Sequence, residues 1–200
     1  RILRAVRFAG QLGFAIEPQT KAALSEFAPR LSAVSIERIT AEFSKLLVSA
    51  HPERLDDLRE AGILQEILPE ITTVLGGDAE PDAAWQQLLG EIAAANISAP
   101  GKALLIIRFT LLLSVLAPKG TDAAPQALKV LRRLRLDNET CDTVQKLIAV
   151  SDIPVEADAE AIRRTRLWMQ RWIRRRAYGR AFLTVGNVQA LRSLQSPGTI

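Results

Sequence analysis

The sequence predicts an all-α chain, because apolar residues recur at helical spacing and no convincing stretch alternates polar and apolar residues as a strand does. Alanine, leucine, isoleucine and arginine dominate the composition, and aromatic residues make up only 5%. Such side chains lose little rotamer freedom in a helix, so the composition also favours helices. With 200 residues, 48% of them hydrophobic, the chain can bury a core in one large or two to three small domains.

Glycine and proline set the limits of the first two predicted helices. The first covers residues 1–12 and ends at Gly13, since glycine tolerates the left-handed backbone of a helix end. The second covers 18–27 and begins at Pro18, because a proline ring removes no hydrogen bond in the first helical turn.

A third helix is predicted over residues 35–48, with Ser35 as its N-cap. At about 100° per residue, one arc of roughly 100° collects its apolar side chains, which are Ile36, Ile39, Phe43, Leu46 and Leu47. On its other side, Arg38 and Glu42 are spaced to form an i, i+4 ion pair.

Six further helices are predicted between turn signals, at 52–61, 85–95, 103–116, 126–134, 138–150 and 158–183. Glycine and proline at 76–82 predict a linker, and Asp137 or Asn138 is expected to cap the helix over 138–150. The apolar run at 103–116 is shorter than the roughly 20 residues that cross a bilayer, so we expect a buried core helix and no membrane span.

A single cysteine and a single histidine exclude several kinds of chemistry. Cys141 cannot form an intramolecular disulfide, which indicates a reducing, cytoplasmic setting and a structural thiol. His51 cannot build a multi-histidine metal site and is interpreted as a turn residue before Pro52. We therefore predict no catalytic and no metal-binding residue in this chain.

Charge is distributed unevenly along the chain. Successive blocks of fifty residues carry net charges of +3, −8, +4 and +5, within a total of +4. Basic ends around an acidic middle favour nucleic acid as a partner, and the alternative is a set of solvated basic helix faces.

Two groups of arginines are candidates for binding an anion. In the first helix, Arg1, Arg4 and Arg7 share an arc of about 120°, opposite the apolar side. The predicted helix at 158–183 carries a second basic stripe, which consists of Arg163, Arg164, Arg171, Arg174, Arg175 and Tyr178. Such a stripe suits an RNA backbone, with the tyrosine available for stacking, unless it is only a solvated face.

Three segments make the sequence recognisable. Residues 1–18 read Arg-Ile-Leu-Arg-Ala-Val-Arg-Phe-Ala-Gly-Gln-Leu-Gly-Phe-Ala-Ile-Glu-Pro. Residues 35–47 read Ser-Ile-Glu-Arg-Ile-Thr-Ala-Glu-Phe-Ser-Lys-Leu-Leu, and a looser match covers 58–70. In this order and spacing they resemble the region after the catalytic head of bacterial class II tRNA nucleotidyltransferases (CCA-adding enzymes) and the related poly(A) polymerases.

The resemblance implies roles for particular residues. Arg1 matches the arginine of the family's Glu-Asp-x-x-Arg motif, whose aspartate and arginine hydrogen-bond the edge of the incoming cytosine or adenine. The acidic residues of that motif would lie just before residue 1. Arg4 and Arg7 would face the same cleft or the incoming phosphates. Glu37, Arg38 and Glu42 would brace the base-reading helix, and the arginine stripe beyond residue 153 would hold the tRNA elbow.

The resemblance also implies a domain organisation. We expect an elongated helical neck over 1–75, a helical body over 76–152 and a helical tail over 153–200, without the catalytic head. The head's metal-holding motifs are missing, so Mg²⁺ is expected only there and the chain alone should be inactive. Ser114 and Val115 stand where some relatives carry the His-Asp pair of a phosphohydrolase module.

The expected function is that of the RNA-binding and nucleotide-selecting part of an enzyme that adds CCA to tRNA from CTP and ATP. The alternatives are a poly(A) polymerase of the same family and a non-catalytic helical scaffold. The sequence leaves open whether the whole triplet or part of it is added, and which oligomeric state the protein adopts.

Overall fold

A computed structural model describes residues 2–76, 81–95, 101–116 and 123–151, and within these ranges every regular element is a helix. The α-helices are α1 (Ile2–Leu12), α2 (Pro18–Phe27), α3 (Ile36–Leu47), α4 (Leu55–Glu60), α5 (Ile63–Ile67), α6 (Pro69–Gly76), α7 (Pro81–Ala94), α8 (Lys102–Ser114), α9 (Ala123–Arg133) and α10 (Asn138–Ser151). Two 3₁₀ helices are η1 (Ala28–Ala33) and η2 (Pro52–Arg54). The all-α prediction is confirmed for the described residues.

Helix α1 packs closely against α3 through a face of small and apolar residues. Leu3 and Val6 are buried on this face, as the spacing of the apolar residues predicts. A Cβ on Gly10 would lie 2.5 Å from Leu46 Cδ1, so only glycine allows this approach. After the helix, Gly13 has a φ of 74°, which is the left-handed conformation expected at a helix end.

Helix α3 buries the predicted arc, with Phe43 and Leu47 fully inaccessible. Its N-terminus confirms the predicted position of the N-cap but not a side-chain hydrogen bond there. Ser35 occupies the N-cap position with an extended backbone, but its side chain makes no capping hydrogen bond. The first-turn acid Glu37 remains to interact favourably with the helix dipole.

The segment between residues 28 and 76 contains more short helices than the sequence predicts. The 3₁₀ helix η1 follows α2 directly, and the predicted helix at 52–61 is divided into η2 and α4. Gly62, with a φ of 72°, then reverses the chain into α5. Helix α2 is fixed to α4 by Lys21, whose Nζ lies 2.6 Å from Asp57 Oδ1, and this hydrogen bond raises the pKa of Lys21.

The second half of the described chain is built around α8. As predicted, this helix is a core element, with Ile106, Phe109 and Leu113 buried. Asp137 caps α10, because its carboxylate accepts hydrogen bonds from the backbone N–H and the hydroxyl of Thr140. Of the two predicted caps, the structure selects Asp137.

One hydrophobic cluster runs from Leu3 in α1 to Ile148 in α10, so the described part of residues 1–75 shares its core with the described part of 76–152. The predicted linker begins where α6 ends and finishes inside the first turn of α7, while residues 77–80 lie outside the described ranges. The tail predicted over 153–200 also lies outside them. Among the described helices, none is long and apolar enough to cross a membrane.

Candidate nucleic-acid interface

A cleft of about 570 Å³ opens between α1, η1 and α3. Its walls mix apolar and basic side chains, and the residues that line it are Ile2, Leu3, Arg4, Arg30, Leu31, Val34, Arg38, Ile39, Ala41 and Glu42. Three of the ten are arginines and one is acidic. The cleft is therefore a cationic surface with an apolar floor.

The three cleft arginines are exposed, and each comes from a different element. Arg4 projects from α1 with 62% of its side chain accessible. Arg38 is exposed on α3, and Arg30 is exposed on η1 with its guanidinium 4.7 Å from the centre of the Phe27 ring. Guanidinium groups that remain accessible can bind phosphate oxygens through two parallel N–H donors.

The acidic residue of the cleft is already engaged by α1. Glu42 Oε2 accepts a hydrogen bond from Arg7 Nε at 2.6 Å, and Glu42 Oε1 lies 3.7 Å from Arg4 Nη2. The predicted ion pair between Arg38 and Glu42 is not formed. Helix α1 packs closely enough on α3 for Arg7 to bind the Glu42 carboxylate instead. Neutralisation of Glu42 leaves the cleft with an excess of positive charge.

Arg7 and Arg4 differ although both lie on the predicted arginine face of α1. Arg7 is 12% exposed and also donates to Gln11 Oε1 at 2.7 Å, and its guanidinium lies 4.0 Å from the centre of the Phe8 ring. The protein therefore occupies two of the five N–H donors of Arg7 and covers most of its side chain. Of the two residues, Arg4 is the one that remains available to a ligand.

The other residues predicted for the site are not all gathered in the cleft. Glu37 lies outside its walls, with its carboxylate 3.9 Å from Arg135 Nε. Arg1 lies outside the described residues, as do the residues of the predicted tail stripe, which are Arg163, Arg164, Arg171, Arg174, Arg175 and Tyr178. The sequence does not predict Arg30, because no local signal marks it and only the tertiary fold brings η1 to the cleft.

A buried arginine of α8 binds the C-terminal end of α3. Arg108 is 3% exposed, and it donates to the carbonyl oxygens of Leu47 and Ser49 at 2.7 and 2.8 Å and to that of Ala95 at 3.2 Å. These carbonyls lie at or just beyond the C-terminal ends of α3 and α7, where a cation is favoured by the helix dipoles. Burial lowers the pKa of Arg108 from that of a free guanidinium.

His51 and Cys141, whose side chains could bind a metal or be oxidised, each contact other groups of the protein. His51 Nδ1 lies 2.9 Å from Glu53 Oε1 in the turn before η2. Cys141 is buried, and desolvation raises the pKa of its thiol. Within the described ranges, no group of three or more histidine, cysteine, aspartate or glutamate side chains is arranged to hold a metal ion.

One family model matches part of the region that forms the cleft. Residues 13–75, about a third of the chain, match the family described as "Probable RNA and SrmB- binding site of polymerase A". This match includes η1 and α3, which supply Arg30, Arg38 and Glu42 to the cleft. No solved structure matches the chain.

Several CCA-adding enzymes are similar to the chain. The enzyme of Lactiplantibacillus plantarum is 36% identical over 89 residues, which are 44% of this chain and 20% of the relative. That of Lacticaseibacillus paracasei is 57% identical over 47 residues, or 24% and 12% of the two chains. That of a Geobacillus species is 47% identical over 64 residues, or 32% and 16%. These matches span a fifth or less of the length of the relatives. Together with the match at 13–75, they make the chain similar to a fragment of the CCA-adding enzyme and poly(A) polymerase family.

Proposed function

We propose that this chain is the RNA-binding and nucleotide-selecting part of a cytoplasmic tRNA nucleotidyltransferase that adds CCA to the 3′ end of tRNA. The observation that carries the proposal is the cleft between α1, η1 and α3, where Arg4, Arg30 and Arg38 are exposed and Glu42 is engaged by Arg7. In this proposal the cleft receives phosphates of the RNA near its 3′ end.

The cleft suits phosphates for electrostatic and geometric reasons. Its three accessible guanidiniums come from three elements whose relative positions are set by the core, so they are organised before a ligand arrives. Each phosphate that a basic group neutralises releases counterions, and this release makes the affinity strong at low salt and weak at high salt.

Nucleotide selection is assigned to Arg1 by the resemblance to the family motif. Its guanidinium has the donors needed for the ring-nitrogen and carbonyl acceptors of a base edge. In the family motif an aspartate shares this task. CTP and ATP are the proposed substrates, and Mg²⁺ is proposed only for the catalytic head that the resemblance implies.

Beyond the cleft, the basic stripe of residues 163–178 is proposed to hold the tRNA elbow. Its arginines, which include Arg171, Arg174 and Arg175, carry a charge suited to the phosphate backbone, and Tyr178 suits base stacking. Alanine substitution of these three arginines should weaken tRNA binding and flatten its dependence on salt.

RNA binding is tested with the 200-residue chain and a tRNA that lacks its 3′ CCA. In a filter-binding titration, the double variant Arg30→Ala/Arg38→Ala should bind about tenfold or more weakly than the parent at moderate salt, since two phosphate contacts are lost. The matched control Lys129→Ala/Lys146→Ala removes the same charge from exposed positions on α9 and α10 and should change affinity less. Equal losses in both variants, or no measurable binding by the parent, would favour a helical scaffold.

A poly(A) polymerase is the second candidate, because the description of the matched family names polymerase A. The two are separated by supplying the complete protein with a tRNA that lacks CCA and with CTP or ATP. Incorporation that requires CTP before ATP supports a CCA-adding enzyme. Extended incorporation of ATP alone supports a poly(A) polymerase.

A further inference from the structure

The end of helix α9 contains an arginine at a position that favours glycine. The backbone N–H of Leu136 donates to Leu131 O at 3.2 Å, and that of Arg135 donates to Arg132 O at 3.0 Å. This pair of bonds is a Schellman motif, in which the residue at the position of Arg135 is left-handed and is most often glycine. Arg135 has a φ of 57°, and it is the only non-glycine residue with a positive φ in the described ranges.

The local contacts of Arg135 do not offset the cost of its left-handed backbone. Its Nε lies 3.9 Å from Glu37 Oε1, and the two side chains are 68% and 60% exposed. Exposed ion pairs of this kind contribute little to stability. An L-residue with a side chain is less favourable than glycine in the left-handed region, so the backbone is strained without a compensating interaction of its own.

The position of Arg135 relates it to the cleft. The Thr40 hydroxyl, in a residue buried on α3, donates to Leu134 O at 2.7 Å and fixes the end of α9 against α3. This bond places Arg135 beside the first turn of α3, where Glu37 precedes the cleft residue Arg38. The turn after α9 therefore adds an exposed arginine beside the first turn of α3, next to the residue that precedes Arg38.

The two neighbouring arginines, Arg132 and Arg133, differ from Arg135 in their contacts. Arg133 is held by Glu70, with Nη2 to Oε distances of 2.7 and 3.0 Å, and it also donates to Ile67 O. Arg132 is exposed and, unlike Arg135, has no ion pair within the described ranges. Arg135 is thus the exposed cation at this helix end that lies next to the first turn of α3.

We propose that Arg135 binds a backbone phosphate of the RNA whose 3′-proximal phosphates occupy the cleft, and that its strained backbone is retained for this contact. The proposal rests on the RNA-binding function proposed above and adds a second contact point, on the α9–α10 turn.

The variant Arg135→Gly distinguishes a role in RNA binding from a role in stability, because its Tm should rise while its affinity for tRNA should fall. In the 200-residue chain, Arg135→Gly should raise Tm by up to about 4 °C by removing the left-handed strain. The same variant should bind tRNA lacking CCA about three- to tenfold more weakly, and the slope of log K against log salt should fall by about one. Arg135→Lys keeps the charge and should retain most of the affinity.

A second variant changes the acidic partner of Arg135. Glu37→Gln removes the carboxylate nearest Arg135, so a phosphate there would be repelled less and affinity should rise. The proposal is overturned if Arg135→Gly binds RNA as the parent does, or if it loses both affinity and Tm, which would assign Arg135 a structural role. Weak binding by Arg30→Ala/Arg38→Ala together with unchanged binding by Arg135→Gly would overturn this inference and leave the proposed function standing.

Discussion

At the scale of single residues, Arg108 shows how a buried charge stabilises the end of a helix without a carboxylate partner. Its guanidinium is surrounded by the carbonyls of Leu47, Ser49 and Ala95. Removal of the donor would leave buried acceptors without hydrogen bonds, and that loss is usually larger than the net gain from forming the bonds.

We therefore expect Arg108→Met to lower the free energy of unfolding by about 2–4 kcal/mol. Urea denaturation followed by circular dichroism measures the difference. Arg132→Met is the matched control, since Arg132 is exposed and surface substitutions usually change stability by less than about 0.5 kcal/mol. Equal stability of the two variants would contradict the structural role assigned to Arg108.

The sequence predicts individual residues well where a single helix decides their position. The helical angle places Arg4 and Arg7 about 60° apart on one face of α1, and in the structure both guanidiniums approach Glu42. The sequence does not predict that Glu42 binds Arg7 rather than Arg38, because both arginines are within reach until the packing of α1 on α3 is known. The membership of Arg30 in the cleft depends on the same long-range packing.

At the scale of elements, glycine and proline predict most helix limits, while the short 3₁₀ segments are not predicted. Gly13, Pro18 and Gly62 mark boundaries because their backbone preferences are local. The 3₁₀ helix η1 and the division of 52–61 are not predicted, because these segments are too short to show a helical period of their own.

Gly10 tests the packing of α1 on α3, and Gly90 in α7 is its control. Gly10→Ala should destabilise the fold by about 1–3 kcal/mol, because the new methyl group would lie 2.5 Å from buried Leu46 Cδ1 and 3.3 Å from the backbone oxygen of His51. Gly90 in α7 has no atom within 4 Å of an added Cβ, so Gly90→Ala should stabilise by about 0.5–1 kcal/mol. Thermal denaturation of both variants checks the opposite signs, and stabilisation by Gly10→Ala would refute the close contact.

The cap of α10 predicts a pH dependence. Desolvation alone would raise the pKa of Asp137, but hydrogen bonds from Lys102 and Thr140 outweigh it and lower the pKa from 3.8 to about 2. A carboxyl whose pKa is lower in the folded state stabilises the fold above its unfolded pKa and loses this effect as the pH falls through the folded value.

Asp137→Asn retains a capping side chain but removes the charge that binds Lys102. The parent should exceed this variant in unfolding free energy by about 1 kcal/mol or less near pH 6, since the two paired side chains are 42% and 54% exposed. The difference should narrow as the pH is lowered from about 4 towards 2. Urea denaturation at several pH values measures it, and a difference that does not change with pH would exclude the proposed titration.

At the scale of the whole molecule, a continuous core gives the cleft its shape. Helices α1 and α3 form two of its walls, and Thr40 and Arg108 connect α3 to the second half of the described chain. The sequence predicts the helical class and the basic character of the α1 surface. It does not predict the connection between the halves, because those contacts join residues 59 to 94 positions apart.

Binding of RNA phosphates in the cleft is measured by the salt dependence of tRNA affinity. The slope of log K against log salt is compared between the parent chain and Arg30→Ala/Arg38→Ala, with Lys129→Ala/Lys146→Ala as the reference. The cleft variant should lose about two units of slope, one for each phosphate contact, while the reference should lose less. A cleft variant with the slope of the parent would show that Arg30 and Arg38 do not bind phosphate.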